Sequence, residues 1–504
     1  MGSFFKQQSH DALWLTSSLC LCLLGTTSPA NGQIVPDGTL PVNSVVTPKG
    51  NTLAIEGGTR AGRNLFHSFQ EFSVLTGHEA FFNNAPDIQN ILSRVTGEKI
   101  SNIDGLIRTN GIANLFVINP NGIIFGPNAT LDIRGSFVAT TADGIDLDHK
   151  GFFSATQPHK STLLSVNPGA LFFNQMARQQ AAITNAGNLS VGVNLTLAAG
   201  NLDLQGQLSA GGDLTLHAFN RVQIRDNTSS PFLASAGGNF LVQGNKAVDI
   251  FALNHPDSRL SSTGNMVLRS ANPIGSDGRF SAGSNLRVEH LDGNLGDLVS
   301  PHDPVFQFGG DVSFGNYTGG SLQILAGGSV TAGTITITGA GTPFNNSNLT
   351  LSDGTPLTIN GTTRPTLDIR AGTTTFFATP ALVAGVPTST NIRINQITFD
   401  NTAAAANGLI FLTNQFSPNT GLPSGTIQVG AITTKNTIGN GGSVVIDSRG
   451  GINLTGDLNA WSRGTASNGG NIYLIANGQI ITTKIDAHSK RGNAGQINLT
   501  STNG

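Results

Sequence analysis

Cysteine is almost absent from this chain of 504 residues. Its two cysteines, Cys20 and Cys22, both lie in an apolar run that extends from Ala12 to Leu24. The rest of the sequence therefore cannot form a disulfide, and it offers no thiol nucleophile and no thiolate ligand for a metal. Such a chain must take its stability from packing and hydrogen bonds.

Charged residues are also scarce. They make up 11% of the sequence, whereas soluble proteins average about 25%, and the formal net charge is -2. This balance provides no basic patch, so we expect no nucleic-acid partner. Apolar residues nevertheless recur at regular intervals, which argues against a disordered chain. After the N-terminal run, no stretch approaches the about 20 apolar residues that a membrane-spanning helix needs.

The N-terminal segment has the layout of a secretory signal peptide. Lys6 precedes the apolar run, and small residues follow the run as far as Gly32. We predict a signal peptide over residues 1–32, with cleavage after Gly32; cleavage after Ala30 is the alternative. Neither cysteine follows the small residue that normally precedes a lipidated cysteine, so a lipid anchor is not expected. The mature chain would be exported without any cysteine.

From about residue 180 onward, glycine repeatedly precedes a strand of alternating apolar residues. Examples are Gly211-Gly212 before DLTLHA, Gly237-Gly238 before NFLVQG and Gly264 before NMVLRS. The spacing from Gly212 to Gly238, and from Gly238 to Gly264, is 26 residues. A β pattern with this period and no helical stretch predicts stacked coils of short strands. The sequence therefore predicts an all-β chain that forms a right-handed parallel β-helix, a β-solenoid.

Two regions follow the predicted signal peptide. Residues 33–181 are rich in strands and phenylalanine but irregular, and we expect them to form an N-terminal cap on the solenoid. Residues 182–504 form the β-helix repeat region, and around 340–440 we expect strand-bearing insertions that project from it. A lone coil cannot offset the entropy cost of ordering its backbone, so the coils must stack. The sequence stops at Gly504 in mid-repeat, without a polar cap, which suggests truncation.

The most informative short segment is LFVINPNGIIFG, which runs from Leu115 to Gly126. Two apolar runs flank Asn119-Pro120-Asn121-Gly122, and each of these four residues fits its position in a type I turn. Asn121 would also tolerate the left-handed conformation that a type II turn requires. On local grounds alone, the segment joins two strands of a coil.

Together with the signal peptide and the glycine-rich solenoid, three segments resemble one family: QIVPDGTLP, NLFHSFQEFSV and NPNGIIFG. The family is the filamentous haemagglutinin N-terminal domain, the secretion domain of two-partner-secretion exoproteins. The resemblance covers roughly Gln33 to Ala181, and the sequence of this segment is most similar to that of cyanobacterial members. The family's NPNG(I/V) motif is intact as Asn119, Pro120, Asn121, Gly122 and Ile123. Its upstream NPNL-type motif is not found, since residues 82–92 read FNNAPDIQNIL.

This resemblance implies a role in export. Members are recognised by the periplasmic modules of a dedicated outer-membrane transporter, cross the outer membrane unfolded and grow their β-helix outside. It implies that Asn119 to Ile123 are a secretion motif, that this transporter is the partner, and that the protein is secreted or surface-attached in a Gram-negative bacterium. The β-helix would then act as an adhesin or surface interaction protein with a surface or cell receptor, and we expect a monomer.

Little in the sequence points to catalysis. The ten histidines are dispersed, and no metalloprotease or nucleophilic-serine motif is present. Asp143, Asp146 and Asp148 superficially suggest calcium, but their spacing lacks the EF-hand pattern, and a solvated turn is the better interpretation. We predict no catalytic residue, no cofactor and no metal.

Two other functions are weighed against export and adhesion. A β-helical polysaccharide lyase or hydrolase is the alternative, and it would need at least two acids clustered on one face. An autotransporter passenger is disfavoured because no C-terminal barrel strands follow.

Overall fold

The computed structural model describes residues 33–166, 168, 171–172, 181–302, 304–342, 344–377, 387–400 and 407–503. The predicted signal peptide, residues 1–32, lies outside them. Strands of successive coils pair in parallel, and the described part contains only a short 3₁₀ helix at Pro158–Lys160 besides the strands. The prediction of an all-β parallel β-helix is therefore confirmed. No helix within these residues is long and apolar enough to cross a membrane.

Each coil contributes strands to three faces. The first face consists of Ile34–Pro36, Thr59–Ala61, Asn64–Phe72, Asn90–Val95, Asn114–Ile118, Phe137–Thr140, Phe240–Gly244, Met266–Ser270, Leu286–Glu289, Val312–Ser313, Ile452–Leu454 and Ile480–Ile481. The second face consists of Ser101–Ile103, Ile123–Phe125, Ala182–Asn185, Ala247–Phe251, Ile274–Asp277, Leu298–Ser300, Tyr317–Gly319, Leu458–Asn459 and Ile485–Asp486. Longer strands span both of these faces at Leu195–Leu204, Leu214–Arg225, Val330–Ile337, Ile392–Phe399 and Ile427–Thr433.

The third face is one ladder of strands from the first coil to the last. It consists of Ser44–Lys49, Thr52–Gly57, Glu79–Phe82, Leu106–Thr109, Thr130–Asp132, Asn188–Val191, Gln207–Ala210, Leu233–Ala236, Arg259–Ser262, Arg279–Ala282, Val305–Phe308, Leu322–Ala326, Thr366–Arg370, Leu409–Thr413, Ser443–Ser448, Ile472–Ala476 and Ile497–Ser501. Antiparallel pairs close the N-terminal end, where Ile34–Pro36 lies against Asn64–Phe72 and Ser44–Lys49 against Thr52–Gly57.

The core is a stack of apolar side chains inside the coils. Because side chains alternate along a strand, every second residue points inward. Leu214, Phe240 and Met266 are in register on three successive coils and are all buried. One continuous apolar cluster extends in this way from Ile34 to Ala487. Each coil is thus stabilised by its two neighbours.

The coils differ in length more than the sequence pattern predicts. Equivalent corner residues are 26 apart between Asp213 and Asn239, but 20 apart between Asn265 and Asn285 and 18 apart between Asp311 and Ser329. The period near 26 is therefore correct for some coils and too long for others. The difference lies in the loops between faces, where extra residues cost little free energy.

A ladder of polar side chains lies at the corner before the first face, and we call it the corner ladder. In most coils, a side-chain oxygen of one ladder residue accepts a hydrogen bond from the backbone N–H of the ladder residue on the next coil. Asp213 Oδ1, for example, accepts one from Asn239 at 2.7 Å. The members of the corner ladder are Asn64, Asn90, Asn114, Ser136, Asn194, Asp213, Asn239, Asn265, Asn285, Asp311, Ser329, Asn391 and Thr426. The ladder extends the strand hydrogen bonding around the corner.

The corner ladder explains why glycine precedes so many strands. A Cβ on Gly238 would lie 2.3 Å from Asp213 Oδ1, and a Cβ on Gly264 would lie 2.7 Å from Asn239 Oδ1. A larger residue would therefore displace the ladder oxygen below it. The glycine pattern that revealed the repeat is a steric requirement of the ladder.

A small antiparallel sheet covers the outside of the first face in the N-terminal coils, and we call it the lateral sheet. Its strands are Gly144–Asp146, Phe152–Ser154 and Leu171–Phe172. Between it and the β-helix lies a second apolar cluster, formed by Leu40, Phe66, Leu92, Ile118, Ile145, Leu147, Phe153 and Ala155. The outward side chains of these coils are therefore buried.

The region 340–440 contains a hairpin, Ser347–Thr350 with Pro356–Ile359. We expected it to project from the solenoid, but it packs against the third face. Its apolar side chains, which include Leu351 and Ile359, bury Phe411 and Val445 of the β-helix. The hairpin packs against the third face because the facing side chains of both are apolar.

Candidate functional site

The Asn119–Gly122 turn joins a strand of the first face to a strand of the second. The Gly122 N–H donates a hydrogen bond to the Asn119 carbonyl oxygen at 3.1 Å, which closes the turn. Gly122 has a φ of +130°, whereas Asn121 is not among the residues with a positive φ. A type II turn requires a positive φ at the position of Asn121, so the turn is of type I.

The motif residues are mostly inaccessible to a partner. Asn119, Pro120, Gly122 and Ile123 are buried, and Asn121 is half-buried. Asn119 and Ile123 have no exposed surface at all, and Ile123 belongs to the apolar core. The side chains of the motif therefore shape the coil rather than form a docking surface.

The two asparagine amides hold the loop 97–101 of the preceding coil. Asn119 Nδ2 donates to the Lys99 carbonyl oxygen and to Ser101 Oγ, both at 2.9 Å. Asn121 Nδ2 donates to the Gly97 carbonyl oxygen at 2.7 Å and to Asn119 Oδ1 at 3.0 Å. A buried polar group that loses its partner costs about 1–3 kcal/mol. The turn and the loop therefore fix each other's conformation.

The same arrangement leaves two isoleucines on the outer surface of the second face. Ser101 pairs with Ile123, which places Ile100 beside Gly122. A Cβ on Gly122 would lie 3.6 Å from Ile100 Cγ1, so the Ile100 side chain packs over the glycine. Ile100 is 45% exposed and Ile124 is 38% exposed. We call Ile100, Gly122 and Ile124 the isoleucine patch.

The isoleucine patch borders an open groove. Ile124 lines this groove, which has a volume of about 520 Å³ and crosses the next coils as far as Arg225. Asp203, Gln223 and Arg225 add polar and charged groups to its wall. The patch and the groove together form a continuous surface that exposes both apolar and polar side chains.

A buried arginine ties the N-terminal strands to the lateral sheet. Arg94 donates to the Ser154 carbonyl oxygen and to Ser161 Oγ, both at 2.6 Å, and its guanidinium lies 4.4 Å from the centre of the Phe153 ring. Burial lowers the pKa of Arg94 to about 10, although the charge of Asp37 opposes this shift. Arg94 gives no signal in the sequence, because its hydrogen-bond partners lie 26 to 67 positions away in the chain.

Asp37 supplies the negative charge of this network. Burial raises the pKa of the Asp37 carboxyl, but hydrogen bonds from Thr96, Ser68 and Thr39 outweigh that effect and lower the pKa below its usual value. Asp37 is therefore ionised at neutral pH and helps to keep Arg94 charged.

His67 is the buried histidine of the first coils. Its Nδ1 lies 3.0 Å from Ser44 Oγ, and its ring meets Phe82 edge-on at 5.5 Å. Burial lowers the pKa of His67 to about 3, so the ring is neutral at physiological pH. His67 is a packing residue of the cap.

The acidic residues considered for calcium do not converge. Asp146 is buried and contacts His149, whereas Asp148 is exposed and pairs with Lys150. Within the described residues, no group of three or more histidine, cysteine or acidic side chains could hold a metal ion.

Acidic side chains of the regular coils make structural contacts. Asp213 belongs to the corner ladder, and Asp249 pairs with Arg225. On the outer first face, Glu289 lies between Arg269 and Arg287. These contacts place arginine rather than a second carboxylate beside Glu289.

Comparisons with known proteins support the family resemblance. The model of the TPS secretion domain matches residues 32–288. Among solved structures, the chain is similar to the HMW1 secretion domain from Haemophilus influenzae, with 16% identity, a TM-score of 0.34, and coverage of 93% of this chain and 100% of that one. It is also similar to the filamentous hemagglutinin secretion domain, with 18% identity, a TM-score of 0.31, and coverage of 60% and 96%. A search of the curated proteins gives no match.

The family match covers just over half of the chain, including the Asn119–Gly122 turn, Arg94 and the lateral sheet, and it extends past residue 181 into the first regular coils. The resemblance found in the sequence is thereby confirmed. A TPS secretion domain targets an exoprotein to its outer-membrane transporter, through which it leaves a Gram-negative bacterium. This chain belongs to the TPS secretion domain family and is a two-partner-secretion exoprotein.

Proposed function

We propose that residues Asn119 to Ile123 serve secretion indirectly, by holding the loop 97–101 and the isoleucine patch in the shape that the transporter recognises. One observation supports this proposal. The motif is largely buried, and the side-chain amides of Asn119 and Asn121 donate hydrogen bonds to that loop. The patch is the exposed apolar surface next to the turn. Apolar groups at the centre of a contact surface contribute much of its binding free energy.

The first test compares secretion with and without the partner transporter. Wild-type protein should reach the medium only when the transporter is present. Asn119→Ala removes the amide that holds Lys99 and Ser101, so we expect its secretion to fall at least tenfold with the transporter present. Asn128→Ala is the matched control, because Asn128 is an exposed asparagine in the next turn, after the strand Ile123–Phe125. Normal release of Asn119→Ala, or release without the transporter, would contradict the proposal.

We further propose that the predicted signal peptide delivers the chain to the periplasm and that the β-helix acts outside as an adhesin or surface interaction protein. The support is the architecture itself, since stacked coils expose long, regular rows of outward side chains. Cells that lack the protein should attach less to a polysaccharide-coated surface, and the secreted protein should restore attachment. Turnover of a polysaccharide by the purified protein would instead favour the lyase or hydrolase alternative.

A further inference from the structure

Three successive C-terminal coils carry outward side chains in a regular array. Asn436, Ser462 and Ser489 pair in register and point inward, so the residues on either side of each point outward. Lys435, Trp461 and His488 therefore form one outward column, and Thr437, Arg463 and Lys490 form the next. We call these six residues the Trp461 array.

The Trp461 array concentrates positive charge locally, which the balanced composition of the whole chain did not predict. The Arg463 guanidinium lies 4.6 Å from the centre of the Trp461 ring, the Lys435 ammonium lies 5.5 Å from it, and the His488 ring stacks on it at 5.9 Å. Residues 427–503 contain six lysines and arginines but three acidic residues, whereas the whole chain has a net charge of -2. Asp486 at the margin is already bound to His488. A ligand for this surface should be anionic.

The surroundings of Trp461 also favour a ligand with apolar surface. Its indole is half-buried and lies beside two cationic side chains, Lys435 and Arg463. Tryptophan and arginine are the residue types most enriched at binding hot spots, because they combine apolar area with directional polar groups. Equivalent side chains on successive coils repeat every 4.7–4.9 Å or so along the axis. That repeat is close to the length of one sugar ring in an extended polysaccharide.

We propose that the Trp461 array binds an acidic polysaccharide, a chain of sugar rings that carry carboxylate or sulfate groups. Lys435, Arg463 and Lys490 would pair with the anionic groups, and the edge of Trp461 would contact a sugar ring. This assigns a ligand class to the adhesive role proposed above. The binding test is independent of transporter recognition, so the two proposals can fail separately.

The array provides its own spectroscopic probe. Trp14 and Trp461 are the two tryptophans of the sequence, and Trp14 lies in the predicted signal peptide. In protein purified from the medium, intrinsic tryptophan fluorescence would therefore report Trp461. We expect heparin and polygalacturonate to change this fluorescence saturably, with an apparent affinity that falls as salt is added. Neutral dextran should leave it unchanged.

Matched variants localise the binding. Lys435→Gln/Arg463→Gln/Lys490→Gln should weaken heparin binding at least tenfold by calorimetry. Lys49→Gln/Lys246→Gln/Arg259→Gln removes the same charge from exposed positions elsewhere and should bind like wild type. Equal weakening in both variants, or an equal response to dextran, would overturn the proposal. Tighter binding to phosphatidylglycerol vesicles than to either polysaccharide would also overturn it, in favour of a membrane ligand.

Discussion

Asn119 has no exposed surface, yet its amide group bonds to Lys99, Ser101 and Asn121. The sequence correctly predicted the turn around it, because turn chemistry is local. It could not predict that Asn119 is buried, or that its Nδ2 group bonds to Lys99 and Ser101, which lie 20 and 18 residues earlier on the preceding coil. The roles of Arg94 and His67 could not be predicted for the same reason, because their partners lie far away in the sequence and come close only when the coils stack.

His67 makes the cap sensitive to acid. Its pKa is about 3 in the folded protein and about 6.5 when unfolded, so below pH 6.5 the unfolded chain binds a proton that the folded chain does not. The contribution of His67 is constant above pH 6.5, and stability falls as the pH decreases from 6.5 toward 3. At pH 5 the loss should be about 2 kcal/mol.

Urea unfolding of wild type and His67→Gln at pH 7 and pH 5 measures this effect. The midpoint of the wild type should fall more between the two pH values than that of His67→Gln, which cannot titrate. Parallel shifts in both proteins would show that other groups cause the acid sensitivity.

Arg94 should control the docking of the lateral sheet. Arg94→Met removes its hydrogen bonds to Ser154 and Ser161 and leaves Asp37 with an uncompensated charge. Breaking a buried charge network of this kind costs about 3–5 kcal/mol. We expect limited proteolysis to cut residues 144–172 much faster in this variant.

Arg60→Met is the matched control for Arg94→Met, because the Arg60–Asp87 pair is about half exposed. Such pairs contribute about 0–1 kcal/mol. If the two variants were cut at the same rate, Arg94 would not anchor the sheet.

At the scale of the structural element, the coil is defined by its corner as much as by its strands. The corner ladder bonds each coil to the next, and the glycines before it leave room for the ladder oxygens. The sequence revealed the strands and the glycines because both follow a simple repeat. It did not reveal the lateral sheet or the packed hairpin, because their contacts join residues far apart in the chain.

Gly238→Ala tests the steric role of the ladder glycines. The added Cβ would collide with Asp213 Oδ1, so either the ladder bond to Asn239 or the coil spacing must change. We expect a loss of about 1–3 kcal/mol, seen as a lower urea midpoint. Gly339→Ala should have little effect, because nothing lies within 4 Å of a Cβ there. Equal midpoints for the two variants would argue against the ladder as a packing constraint.

At the scale of the whole molecule, one apolar core runs through all described coils, and each coil contacts mainly its neighbours. Such a stack can fold progressively from one end. This property is compatible with the passage of an unfolded chain through a transporter, which the family resemblance implies. The antiparallel strands and the lateral sheet concentrate non-repeating structure in the N-terminal coils, where the family match begins. The N-terminal part of the matched region is thus built differently from the regular coils that follow it.

Direct binding to the periplasmic part of the partner transporter tests most clearly whether the motif acts through the surface that it supports. Ile100→Asp/Ile124→Asp alters the isoleucine patch and leaves every motif residue in place. Ile112→Asp is the control, because Ile112 is 76% exposed and lies away from the turn. With circular dichroism and urea midpoints unchanged, we expect the double variant to bind at least tenfold more weakly than wild type, and the control to bind normally. Wild-type affinity in the folded double variant would contradict recognition through the isoleucine patch.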